Sequence, residues 1–195
     1  INKVTQTIVS GIKTKEEFYM PHAGASLYVL FDNLLYVYRH RNKTGINHVT
    51  GDVHYCILGL IGCKTVLTIH DTVSLDFNKL SILKRFLVEW FWFRLPMKFA
   101  TKVVCISEHT KQSVEKYTKR KDIVVIHNAV DPSFENKEKK LTSKIINVLL
   151  IGTNPNKNLE RTFEALKGLD CHVTIIGKMT QTQEKILISN NIKYD

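Results

Sequence analysis

Residues 145–169, IINVLLIGTNPNKNLERTFEALKGL, decide how the rest of the chain is read. The first seven residues are apolar apart from Asn147 and rich in β-branched side chains, the pattern of a strand buried on both faces of a parallel sheet. Gly152 then opens a short polar turn, residues 153–158, containing Pro155 and three asparagines, and the chain enters a helix. Asn158 suits an N-cap, and Leu159, Phe163, Leu166 and Leu169 share one helical face. Strand, tight turn and helix N-terminus together direct free backbone N–H groups at one point. Such a point favours an anion, and Lys157 adds a full positive charge beside it. An ordinary βα unit with a solvated lysine accounts for the same residues, since most such turns bind nothing.

Upstream of this stretch, residues 136–144 (NKEKKLTSK) are polar and highly charged, and read as an interdomain linker. Before them lies a strand–helix alternation with short connectors. Strands are predicted over residues 17–20, 47–50, 64–69, 102–106 and 122–126. Helices are predicted over residues 1–13, 24–41 and 80–100, the last with a kink or break at Pro96. Ser107 should cap a further helix, with Glu108 as its first-turn acid. Downstream, a second alternation runs through a strand at 171–176, a helix at 181–189 and a strand at 192–194. This is the pattern of open parallel sheets with helices on both faces. The division expected is residues 1–134 as one Rossmann-like domain, 135–144 as linker, and 145–195 as the start of a second domain whose other half is missing.

The 195 residues carry 44% hydrophobic and 24% charged side chains, ordinary for a globular protein, but the net charge of +10 is not. It points to polyanionic company: nucleic acid, phosphorylated ligands or an anionic membrane. Lysine is scattered rather than interleaved with aromatics, which argues against a nucleic-acid footprint. The four cysteines lack CxxC spacing and read as free thiols in a reducing compartment, without zinc or disulfides. Residues 86–93 (FLVEWFWF), flanked by Lys79, Lys84, Arg85, Arg94 and Lys98, fit a helix sandwiched between sheet and neighbouring helices. Docking at a membrane interface is the alternative.

In open α/β sheets ligands gather at the carboxyl ends of strands. Three predicted strands end in polar residues: His70-Asp71, Ser107-Glu108 and His127-Asn128. His70 directly follows an apolar run and should face the crevice, where a histidine can donate a hydrogen bond or act as a base. A purely local hydrogen bond to Asp71 or backbone fits equally well. His48 and His54 flank Gly51-Asp52, but nothing nearby completes a metal site, and no Walker loop, GxGxxG, HExxH or nucleophile elbow occurs.

Three stretches taken together resemble the retaining glycosyltransferases of family 4, which have the two-domain GT-B fold. They are residues 65–74 (TVLTIHDTVS), residues 103–134 (VVCISEHTKQSVEKY…IVVIHNAVDPSF) and the opening stretch itself. The resemblance implies transfer of a sugar from a nucleotide-diphospho-sugar to a hydroxyl with retained anomeric configuration. It places the acceptor on the N-terminal domain and the donor on the C-terminal one. Carried over residue by residue, His70 matches the histidine beside the transferred sugar. Lys157, with Gly152 and Thr153, matches the donor diphosphate loop. Asn128 and Asp131 match a crossover loop of structural role. No metal or other cofactor is expected, because helix dipoles and basic side chains take the diphosphate charge.

There are departures from the family pattern. Thr153 stands where arginine is usual, so one cation is lost unless a residue such as Arg161 compensates. Asn128-Ala129 replaces Asn-Gly, and His127 replaces proline. The pair of glutamates seven residues apart that contacts donor sugar and ribose is expected to be absent from all 195 residues. The family's first strand and glycine-rich loop are expected upstream of Ile1, and the chain as given is expected to be a fragment inactive on its own. The expected setting is polysaccharide or lipid-linked glycan synthesis, in the cytoplasm or at the inner face of the membrane, with no nucleic-acid partner. A non-catalytic Rossmann-like nucleotide-binding or regulatory module is the competing reading.

Overall fold

The computed structural model describes residues 16–76, 80–130 and 145–195. The helix expected over 1–13, the linker at 135–144 and Asp131 lie outside them. The chain divides into two compact units, Ile1–Glu135 and Asn136–Asp195.

In the first unit, α1 (Leu27–His40) is capped by the Ser26 hydroxyl, which accepts from Val29 N–H. Then come β1 (Ile46–Val49), a 3₁₀ turn (His54–Leu60), β2 (Lys64–Ile69) and a short α2 (Val73–Asp76). A continuous helical stretch follows: α3 (Ile82–Val88), a π-helical segment (Glu89–Arg94) and α4 (Leu95–Phe99). The unit closes with β3 (Lys102–Cys105), α5 (Glu108–Glu115) and β4 (Ile123–Val125). The four strands are parallel and lie in the order β1-β2-β3-β4. Val49, Leu67, Val103 and Ile123 stand in register across all four and are all buried.

Strands in sequential order, joined by crossovers of one hand, put every connection on the same face. The described helices accordingly pack over Leu67, Ile69, Val103 and Cys105 through Ile57, Leu60, Phe93, Met97 and Val114. The opposite face, carrying Val66, Thr68 and Val104, is only half-buried among the described residues. That departs from the expected two-sided layering. Residues 17–20, read as a strand, join no sheet; Phe18 instead lies against the rings of Tyr36 and His40. In α1 the expected apolar stripe is reversed in part, since Leu27 and Phe31 are exposed while Asn33 is fully buried. Asn33 faces inward because it donates to Tyr55 Oη (2.8 Å) and to the His22 carbonyl (3.0 Å).

Pro96 does not break the helix. It stands in the first turn of α4, directly after the π-helical segment, where a proline is tolerated. Beside it the Trp92 carbonyl accepts from His54 Nδ1 at 2.9 Å. The end of α4 is held by Arg120, whose guanidinium donates to the carbonyls of Met97, Ala100 and Thr101 and pairs with Asp122. A cation on the last carbonyls of a helix also complements its dipole. Thr65 and Thr101 exchange hydrogen bonds, each backbone N–H donating to the other's hydroxyl at 3.0 Å, and so pin the starts of β2 and β3 together.

The second unit holds β5 (Ile146–Ile151), a 3₁₀ turn (Pro155–Lys157), α6 (Leu159–Leu166), β6 (Cys171–Ile176), α7 (Gln181–Ser189) and β7 (Lys193–Tyr194). Its strands are parallel in the order β5-β6-β7. Leu159, Phe163 and Leu187 pack with Val148, Leu150 and Val173 on one face. β5 is therefore not buried on both sides as its apolar run suggested. Leu149 and Ile151 are exposed, in register with Thr174 and Ile176, because both described helices cover the other face. Leu169 falls beyond the end of α6 and is likewise exposed.

Candidate functional site

The carboxyl edge of the first sheet gathers Thr50, His70, Ser107 and His127, each just past the end of its strand. β2 ends at Ile69 because the apolar run ends there, so His70 points to the half-open face, on the same side as Thr68. His70 Nε2 lies 3.1 Å from Thr50 Oγ1, and one step back His48 Nε2 lies 2.8 Å from Thr68 Oγ1. Two histidine–threonine pairs thus bridge β1 and β2 on the polar face. The His70 carbonyl accepts from the Thr110 hydroxyl at 3.1 Å. Thr110 in turn belongs to the first turn of α5, where Ser107 caps its N–H.

Burial holds His70 below the usual imidazole range, opposed by the neighbouring Asp71 carboxylate. Burial likewise lowers His48, with His70 adding to the effect. Both rings are therefore neutral at pH 7, and each carries one donor and one acceptor nitrogen. Asp52 is pushed upward by burial and by the charge of Asp71. Among the described residues no cluster of histidine, cysteine or carboxylate side chains could hold a metal.

His70 does not bond to Asp71, whose carboxylate accepts from Val73 N–H and so starts α2. Ser107 and Glu108 serve α5 as cap and first-turn acid, as expected. Asn128 lies exposed beyond β4, and His127 Nδ1 meets the Ile106 carbonyl at 3.1 Å. Contrary to the expectation that no glutamates stand seven residues apart, Glu108 and Glu115 do, but both are on α5 of the first unit rather than in the second. Cys56, Cys105 and Cys171 are buried, and all four cysteines are unpaired.

In the second unit the loop after β5 is tightly built. Gly152 has φ +86°, and a Cβ there would lie 3.2 Å from Lys157 Cε, so the lysine stem lies directly over the glycine backbone. Asn158 does not cap α6 with its side chain. It takes a left-handed conformation (φ 54°), and its carbonyl accepts from Thr162 N–H and Oγ1. Asparagine tolerates that conformation, which lets a 3₁₀ turn lead straight into a helix. Thr153 turns inward, its hydroxyl donating to the Lys178 carbonyl at 2.7 Å, while Gln183 Nε2 donates to the Thr153 carbonyl and to Glu160. The residue standing in for an arginine is thus a structural tie. Gly177 admits it: a Cβ at that position would meet Thr153 Cγ2 at 3.0 Å. Thr50, Thr110 and Gln183 were not singled out from the sequence. Threonine two residues before Asp52 carries no pattern, and only the sheet register reveals its partner.

Parallel strands joined by helical crossovers, with polar residues at the strand ends, define two Rossmann-like α/β units. The family model Glycosyltransferase Family 4 matches residues 9–134, and the chain belongs to that family. Among solved structures it is similar to TarM, with 14% identity over 86% of this chain and a TM-score of 0.54. It is equally similar to a point mutant of S. aureus TarM in complex with fondaparinux, alpha-GlcNAc-glycerol and UDP, at 14% identity and a TM-score of 0.56. The chain spans about a third (36%) of the length of each. These likenesses establish the α/β fold of GT-B type. No functionally curated protein matches the sequence.

Proposed function

We propose that the protein is a glycosyltransferase that moves a sugar, of hexose type, from a nucleotide-diphospho-sugar to a hydroxyl on a glycan or lipid-linked acceptor, with retained configuration and without a metal. The observation that carries this reading is the placement of His70 at the carboxyl edge of β2, held by Thr50 and Thr110, in a chain of Glycosyltransferase Family 4. A neutral imidazole fixed at that edge can hydrogen-bond the transferring sugar. The Gly152–Lys157 loop supports a diphosphate role, because its glycine lets a lysine lie against backbone at the mouth of a βα turn. That S. aureus TarM is bound to UDP and alpha-GlcNAc-glycerol supports a uridine diphosphate donor and a glycan acceptor here. Residues 1–134 would hold the acceptor and 145–195 begin the donor side, joined through 135–144. Polysaccharide or lipid-linked glycan synthesis at the cytoplasmic side of a membrane fits this donor chemistry.

The test is direct. The full-length protein is incubated with UDP-sugars and hydroxyl acceptors in the presence of a chelator, and NMR follows the anomeric proton of the product. Retention with chelator present is expected. Inversion, or a strict metal requirement, would overturn the corresponding part of the reading. Binding of nucleotide without turnover on any acceptor would favour the non-catalytic module.

A further inference from the structure

The stretch from α3 into the π-helical segment was expected to be sandwiched in the core, but only one side of it is. Phe93 and Met97 are fully buried, Trp92 Nε1 donates to the Asp52 carbonyl at 3.3 Å, and Arg85 donates to the Leu75 carbonyl at 3.0 Å. α3 itself buries no residue. Ile82 is 91% exposed, Leu83 68% and Phe86 54%, and Leu87, Trp90 and Phe91 continue the exposed apolar surface. Positions 83, 86, 87 and 90 share one helical face, and the rings of Phe86 and Trp90 are 5.8 Å apart.

Positive charge borders this face. Lys84 and Lys98 are exposed beside it, and the Arg94 guanidinium lies 5.7 Å from the Trp90 ring. A groove of about 670 Å³ runs on from Trp90 between the helical stretch and residues 117–120; its cations are Arg94, Lys98, Lys119 and Arg120, and no acid lines it. Arg94 and Arg120 are already paired with Glu89 and Asp122. Among the described residues, Lys98 and Lys119 are the groove cations paired with no acid.

We propose that this face docks on an anionic lipid bilayer. The side chains of residues 82–91 enter the boundary between headgroups and acyl chains, and the lysines of the groove meet lipid phosphates. An exposed aromatic and aliphatic stripe rimmed by lysine and arginine is the chemistry such an interface selects. Charge decides the occupant. A second copy would bring the same basic rim against this one, in a chain of net charge +10, whereas an anionic membrane is complementary. The inference stands apart from sugar transfer, since it uses none of the residues assigned to that site.

Flotation of the full-length protein with vesicles tests it. The protein is expected to float with phosphatidylcholine vesicles containing phosphatidylglycerol and to stay behind with phosphatidylcholine alone, and raised salt should weaken the association. Leu83→Glu combined with Phe86→Glu should lower vesicle affinity by about tenfold or more. Melting and circular dichroism should be unchanged, as α3 buries no side chain. Lys98→Glu combined with Lys119→Glu reads the groove independently and should give a comparable loss. Equal binding to both vesicle types, or indifference to both double variants, would overturn the proposal. So would a concentration-dependent mass that Leu83→Glu with Phe86→Glu abolishes, because it would make a second copy the occupant.

Discussion

Thr50 Oγ1 and His70 Nε2 stand 3.1 Å apart at the ends of adjacent parallel strands, each reaching diagonally past the direct register neighbour. The hydroxyl fixes which imidazole nitrogen is bonded to the protein and leaves Nδ1 without a hydrogen-bond partner among the described residues. Thr50→Val is isosteric and removes only that bond. It is expected to lower kcat by roughly fivefold to tenfold, matching a hydrogen bond of about 1 kcal/mol, with KM for the donor little changed. Thr50→Ser should restore most of the rate. Steady-state kinetics of the two variants against His70→Ala checks this; a Thr50→Val enzyme with normal turnover would remove Thr50 from the site.

Lys157 offers charge rather than shape. Lys157→Ala should weaken binding of a nucleoside diphosphate by about tenfold to a hundredfold, the range of a charge-assisted hydrogen bond. Binding of the free nucleoside should hardly move. Calorimetry with both ligands separates the two, and equal weakening would refute a phosphate role.

Gly152 makes the lysine's position possible. Gly152→Ala must adopt φ +86° and set a Cβ 3.2 Å from Lys157 Cε. The backbone cost is about 1–2 kcal/mol, and diphosphate binding should fall even though Lys157 is still present. A melting curve together with the same calorimetry reads both effects.

His54 predicts an acid-sensitive fold. Burial holds its ring at about 4, against an ordinary value of 6.5, despite the bond to the Trp92 carbonyl that favours protonation. The unfolded chain therefore binds the extra proton first. The contribution of neutral His54 is fully present above pH 6.5 and is lost as pH falls toward 4, by about 3 kcal/mol at most. Urea melts from pH 7 to pH 4 should show this slope, and His54→Gln should flatten it. The variant should also be less stable at pH 7 wherever its amide fails to reach Trp92.

Arg120 closes the other end of the same helical stretch. Arg120→Met keeps the stem and removes the bonds to three carbonyls. It should cost about 2–3 kcal/mol. Asp122→Asn, on a solvent-exposed and screened pair, should cost far less than Arg120→Met. Chemical denaturation of the two variants measures the difference.

Much of the fold was legible because each strand is a short apolar run closed by a polar residue. β2 spans Lys64–Ile69 as read, and β6 and α7 also keep their expected bounds. What stayed hidden depends on partners distant in sequence. Asn33 turns inward on account of Tyr55, twenty-two positions on. Pro96 looked like a kink or break because the sequence does not show that it falls in the first turn of α4, after a π-helical segment whose Trp92 carbonyl is held by His54 from another element. β5 looked doubly buried because an apolar run records capacity for burial, not which neighbour provides it. At the site, His70 stood out as a histidine after a strand, whereas Thr50 acquires meaning only from the register of β1 on β2.

The helical stretch from Ile82 to Phe99 is fixed unequally along its length. Three carbonyls near its end are gripped by one guanidinium, and Phe93 and Met97 root that half in the core. Its first two turns bury no side chain, and Arg85 ties them to the Leu75 carbonyl. Mechanically it is a cantilever. Load applied to the outer tip is carried to the anchored root near Arg120, and it passes Trp92 on the way, whose indole holds the loop around Asp52.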